Sequence, residues 1–216
     1  MLAGLVELVL HPDTFFARIV KEKVNLIPPL VIVGTGLFFV IIGKVIPVVW
    51  ISLKSSFLQN TSLAEIIGSL ILCHALLPLV VFSVISLGTY GVSRGLDGKG
   101  SLTANVQNIG YGMMPWTFFT IGSLVSSSII LVVFHAWPVP PNSPGAVIVL
   151  FWIAALIGLV VFFWEWYLWI LAVRHTHAFT LRKAAAVTIV PVAMVIWLTI
   201  PVQAWLDTIW MVIFGI

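Results

Sequence analysis

The feature that most constrains this chain is a recurrence. Apolar runs long enough to cross a bilayer occur five times and take up nearly the whole length of 216 residues. They fall at roughly 26–50, 66–92, 110–134, 146–172 and 184–205. Only 8% of residues are charged, against about 25% in soluble domains. In hydrocarbon every backbone N–H and C=O must be satisfied within the segment, so runs of this kind form helices. The expected fold class is an all-α integral membrane protein, a bundle of five transmembrane helices. Residues 1–25 are expected to form interfacial amphipathic helices, and 26–216 the five-span domain. No stretch remains for a separate soluble domain.

The net charge of +3 does not point to nucleic acid, because the basic residues sit in short segments between spans. Arg18, Lys21, Lys23, Arg94, Lys99, Arg174, Arg182 and Lys183 fall on one side of the predicted layout, and Lys44 and Lys54 on the other. The positive-inside rule then puts the N-terminus in the cytoplasm and, with five crossings, the C-terminus outside. Cys73 is the sole cysteine, so an intrachain disulfide is excluded and the redox compartment is left open. Asn60-Thr61-Ser62 is a glycosylation sequon by pattern only. PVPPNSPG at 138–145 reads as a stiff hairpin connection.

The first ten residues lack the basic n-region and cleavage site of a signal peptide and carry Glu7. Leu2, Leu5, Val6 and Val9 have the spacing of a short surface helix. Pro12 breaks it, and Asp13 is a suitable N-cap for a second. Phe15, Phe16, Ile19 and Val20 make that helix's greasy stripe; Arg18, Lys21 and Lys23 are its candidate membrane-surface contacts.

Two places carry polar groups that lipid does not tolerate alone. The stretch NVQNIGYGMMPW packs three amides, two glycines, a tyrosine and a proline into the mouth of the third span. Glu165 lies in the cytoplasmic half of the fourth span, where a lone carboxylate costs on the order of 3 kcal/mol. It should be protonated or paired, and Arg94, Asn108 and Tyr111 match its depth better than Lys44 does. Arg94, Asn105, Asn108, Tyr111 and Glu165 are therefore the candidate polar cavity, set against the plainer reading of interhelical hydrogen-bonded glue. Gly110 and Gly112 suit helix packing. His175-x-His177 is a pair of metal-ligand type without a third ligand in view, and no metal or cofactor residue is assigned. GVSRG at 91–95 matches a nucleophile-elbow string, but it follows a membrane helix rather than a strand, and no catalytic residue is assigned. Spans two–three and four–five look like related hairpins, each turning through Ser/Thr-Leu (Ser101-Leu102, Thr180-Leu181) toward an early proline (Pro115, Pro191).

HPDTFFARI near the start, GLDGKGSLTANVQNIGYGMMPW, and AFTLRKAAAV before the last span resemble the Yip-domain family, the Ypt/Rab-interacting polytopic membrane proteins. The five-span layout with a cytoplasmic N-terminus is similar too. The resemblance implies a role in membrane organisation or trafficking and, for eukaryotic members, binding of prenylated small GTPases. Those members carry a long cytosolic N-terminal region, and this chain's compactness is more similar to bacterial or archaeal relatives. The expected function is a non-enzymatic scaffold in contact with membrane lipids and able to self-associate. The alternative is a small channel or lipid or ion transporter built around Glu165.

Overall fold

The computed structural model describes residues 2–54, 63–136 and 144–214. The Asn60 sequon and most of the proline-rich linker lie outside the described residues, as do the side chains of Lys44, Lys54, Cys73, His74 and His135. The described residues are helical throughout, joined by short turns. They form α1 (Leu2–Leu10), α2 (Pro12–Ile19), α3 (Ile27–Lys54), α4 (Leu63–Gly95), α5 (Leu102–Gly112), α6 (Met114–Ala136), α7 (Pro144–His177) and α8 (Leu181–Phe214). Within them, Leu76–Gly95, Trp152–His177 and Leu181–Thr199 are each long and apolar enough to cross a membrane, and Ile27–Gly43 is a shorter apolar stretch. The fold is thus that of an all-α membrane bundle.

The chain divides into two compact units. The first comprises 1–30, 76–112 and 167–216; the second comprises 31–75 and 113–166. In the second unit, Gly36 lies beneath the ring of Trp116, and Thr117 Oγ1 donates to the Ile32 carbonyl at 3.0 Å, joining α3 to α6. Phe162 and Phe163 both contact the Trp166 ring along α7, at 6.2 and 6.3 Å between centroids. Pro115 explains why α5 and α6 are separate helices. It has no N–H to give to the Tyr111 carbonyl, and its ring crowds that carbonyl, so the helix is interrupted at Met113.

In the first unit the entry to α3 is built from local chemistry. Pro28 and Pro29 occupy the first turn, where the missing N–H groups would have had no partner. The free N–H of Ile27 goes to Asn25 Oδ1 at 3.0 Å. α2 starts two residues earlier than an Asp13 cap would set it. His11 is the N-cap residue and makes no side-chain bond, and Pro12 opens the helix. Asp13 is thereby left free for a long-range role.

The two turns of the first unit are constructed alike. At the end of α4, Gly98 N donates to Ser93 O at 2.8 Å and Asp97 N to Arg94 O at 3.3 Å, with Asp97 left-handed at φ 61°. At the end of α7, Phe179 N donates to Arg174 O at 2.9 Å, with Ala178 left-handed at φ 56°. Both have the backbone of a Schellman stop, formed without the usual glycine at the left-handed position. The next helix then opens on a hydroxyl cap in each case. Ala104 N donates to Ser101 Oγ at 3.2 Å, and Lys183 N to Thr180 Oγ1 at 3.3 Å. Lys183 also joins the turns, since its Nζ donates to the Leu96 carbonyl at 2.7 Å and sits 4.4 Å from the Phe179 ring centre.

Candidate functional site: a polar seam in the first unit

Three helices of the first unit turn polar faces toward one another. On α4, Ser86, Thr89 and Ser93 recur at i, i+3 and i+7, which is one face of a helix. On α5, Asn105 and Asn108 are a helical turn apart. On α7, Thr176 and His177 close the last turn. All seven are buried.

Asn105 is the hub. Its Nδ2 donates to the Ser86 carbonyl at 2.7 Å and to Thr89 Oγ1 at 2.9 Å. The Thr89 hydroxyl gives its own proton to the Ile85 carbonyl at 2.6 Å, so it accepts from Asn105. Both amide protons of Asn105 are then used, and Oδ1 can only accept. It faces His177 Nε2 at 3.2 Å, so Nε2 carries a proton; in the neutral ring, Nδ1 is then a bare acceptor. Asn108 Nδ2 donates to Thr176 Oγ1 at 2.7 Å. Within the seam, Ser86 Oγ, Ser93 Oγ, Asn108 Oδ1 and His177 Nδ1 are buried with no partner among the described residues.

Glycines let the backbone close around the seam. A Cβ on Gly98 would stand 2.7 Å from His177 Nδ1, and one on Gly100 would stand 2.5 Å from the Thr176 carbonyl. Gly110 lets α5 approach Pro29, and Gly112 makes room for the Trp169 ring.

The N-terminal helices are fastened to the same framework at three points. Asp13 Oδ1 accepts from Arg174 Nη1 at 2.7 Å and lies 2.8 Å from His175 Nε2. The Phe15 ring meets Tyr111 edge-on at 5.0 Å. Asn25 N donates to Gln107 Oε1 at 2.6 Å. Phe15, Phe16 and Ile19, expected as the greasy stripe of a membrane-surface helix, are buried in protein, with the Phe15 ring against Tyr111. The exposed apolar residues of this segment are Val6, Leu10, Val20, Val24 and Ile27.

Of the five residues proposed to share a cavity, Asn105 and Asn108 lie in the seam, bonded to adjacent residues of α7. Tyr111 is buried against Phe15. Arg94 is exposed, and its Nη1 donates to the Gly98 carbonyl at 3.2 Å. Glu165 belongs to the second unit, buried, with Oε1 unpartnered among the described residues. Of the three N-terminal cations, Arg18 is held by Glu7 at 2.5 Å and Glu22 at 2.6 Å. Those two carboxylates raise its pKa further above the ordinary arginine value. Lys21 and Lys23 are exposed.

His175 and His177 are two residues apart on one helix and so point to opposite sides, the first to Asp13 and the second into the seam. Among the described residues no group of three or more His, Cys, Asp or Glu gathers to hold a metal. Ser93 lies in the last turn of α4, and its carbonyl takes part in the stop, a setting unlike the strand-to-helix turn of a nucleophile elbow. The reading from sequence missed Ser86, Thr89, Thr176 and the bridging role of Asp13. For Ser86 and Thr89 the sole trace in the sequence is their spacing on one helical face with Ser93; Thr176 and Asp13 carry no such local mark.

A helical membrane bundle whose polar residues are braced at helix ends, with N-terminal helices fastened beside them, defines the class. The Yip1 domain family model matches residues 6–200. The chain belongs to that family. Comparison with curated proteins and with solved structures finds no match.

Proposed function

We propose that this Yip-family membrane protein is a non-enzymatic scaffold of the membrane-organising or trafficking type. Five crossings, a cytoplasmic N-terminus and an external C-terminus complete the reading. The observation that carries it is the fastening of the N-terminal segment to α5 and α7 beside the seam, α2 through Asp13 and Phe15 and the link to α3 through Asn25. A segment tied at three points is a platform rather than a tether. It offers bilayer lipids, a second copy of the chain, or a small GTPase of the kind the family resemblance implies a fixed surface. The seam supports the same reading, since the amide hydrogens of Asn105 and Asn108 go to bonds between helices, which brace rather than conduct.

The competing reading is a transport path, and one observation favours it: Oε1 of buried Glu165 has no partner among the described residues. Reconstitution separates the two. Liposomes carrying the protein should show ion and lipid flux at background, with Glu165→Gln indistinguishable from the parent. Flux above protein-free liposomes that Glu165→Gln abolishes would replace the scaffold with a transporter.

A further inference from the structure

The chain's cations look equivalent in sequence, but the structure sorts them. Arg18 is held by two carboxylates, Arg174 by Asp13, and Lys183 by the Leu96 carbonyl and the Phe179 ring. Arg94 is bound to its own turn through the Gly98 carbonyl. Lys21, Lys23, Lys99 and Arg182 are exposed and have no partner among the described residues.

Each of these four has an exposed branched apolar neighbour. Val20 adjoins Lys21, and Val24 adjoins Lys23. Leu96 and Leu102 flank Lys99, and Leu181 adjoins Arg182. A water-facing or protein-facing basic patch has no need of unpaired leucines beside its charges. A leaflet does: the apolar side chain enters the acyl boundary while the cation stays at phosphate level. The turns carrying Lys99 and Arg182 are also in contact with one another, through Lys183 and the Leu96 carbonyl. The one acid exposed on these turns is Asp97.

We infer that Lys21, Lys23, Lys99 and Arg182 are the cations that select anionic phospholipid headgroups, and that Arg18, Arg174 and Lys183 take no part in this. The inference deepens the scaffold reading by naming lipid as what the platform engages. It does not require that the bilayer be remodelled.

The test uses the full chain in detergent, titrated with phosphatidylglycerol or phosphatidylcholine, with bound lipids counted by native mass spectrometry. A juxtamembrane cation contributes about fivefold to anionic-lipid binding near a surface. Lys99→Gln with Arg182→Gln should therefore lower the preference for phosphatidylglycerol on the order of tenfold or more. Arg174→Gln should leave the preference unaltered. Asp97→Asn should raise it, which keeps the inference testable even if the double variant folds poorly. An unaltered preference in the double variant, an equal loss in Arg174→Gln, or displacement of phosphatidylglycerol by inorganic phosphate would each overturn the inference. Vesicle remodelling is read separately. Lipid preference without remodelling would count against the scaffold alone.

Discussion

Asn105 and Glu165 are both polar, both buried, and both set in a chain that is 61% hydrophobic. Their surroundings differ. Asn105 reaches a backbone carbonyl, a threonine hydroxyl and a histidine N–H. Glu165 has an oxygen that reaches no partner among the described residues. Part of the reason is chemical. An amide brings two donor hydrogens and an acceptor together, so it can use the carbonyls and hydroxyls that helix ends supply, whereas a carboxyl brings at most one donor. Part is positional. Asn105 lies near the start of α5, opposite the polar face of α4, while Glu165 lies within the span Trp152–His177 among aromatic residues. A buried polar group stabilises a membrane bundle when the neighbouring helix was built to receive it; otherwise it is a cost.

Leucine substitutions at the two positions should therefore act in opposite directions. Asn105→Leu removes three bonds and strands the Nε2–H of His177, a buried donor with no other partner in view. The expected loss is about 2–4 kcal/mol, read as a lowered unfolding midpoint in detergent. Parent-like stability would mean that the seam braces nothing. Glu165→Leu removes a buried carboxyl whose Oε1 has no partner among the described residues and fills its place with apolar atoms. Stability should hold within about 1 kcal/mol or rise. A loss comparable to that of Asn105→Leu would show that Glu165 has a strong partner and would end the contrast between the two sites.

How much of this was legible in the sequence follows from the range of each interaction. Hydropathy is summed over many residues, so the helical membrane class could be read directly from the apolar runs. Asn105 and Asn108 were visible because amides are conspicuous in such company. Ser86 and Thr89 were not, because a hydroxyl can bond to its own helix and so is unremarkable in an apolar run; only the facing amide gives Thr89 a further role. Asp13 was misread for a related reason. Its local use as a cap is the default for an aspartate at that point in a chain, and its ion pair with Arg174 joins residues 161 positions apart. No local pattern encodes a contact of that separation. The turns were only half legible. Ser101-Leu102 and Thr180-Leu181 marked the helix starts, but the matching left-handed stops at Asp97 and Ala178 lack the glycine by which such stops are usually recognised.

The smallest effect concerns the fastening of the N-terminal helices, where Asp13 and Arg174 can be separated from the apolar anchor beside them. Both partners are substantially exposed, with side chains 55% and 35% accessible, so solvent screens their attraction and only a fraction of a kcal/mol should remain. A double-mutant cycle of Asp13→Ala with Arg174→Gln should give a coupling of about 0.5 kcal/mol that fades in molar salt. Phe15, by contrast, is 2% exposed against Tyr111, and it should supply most of the holding energy whatever the salt. The ion pair then sets where α2 sits and the aromatic pair sets how firmly. A coupling above about 2 kcal/mol would reverse that assignment, because an exchange of that size needs a pair shielded from water.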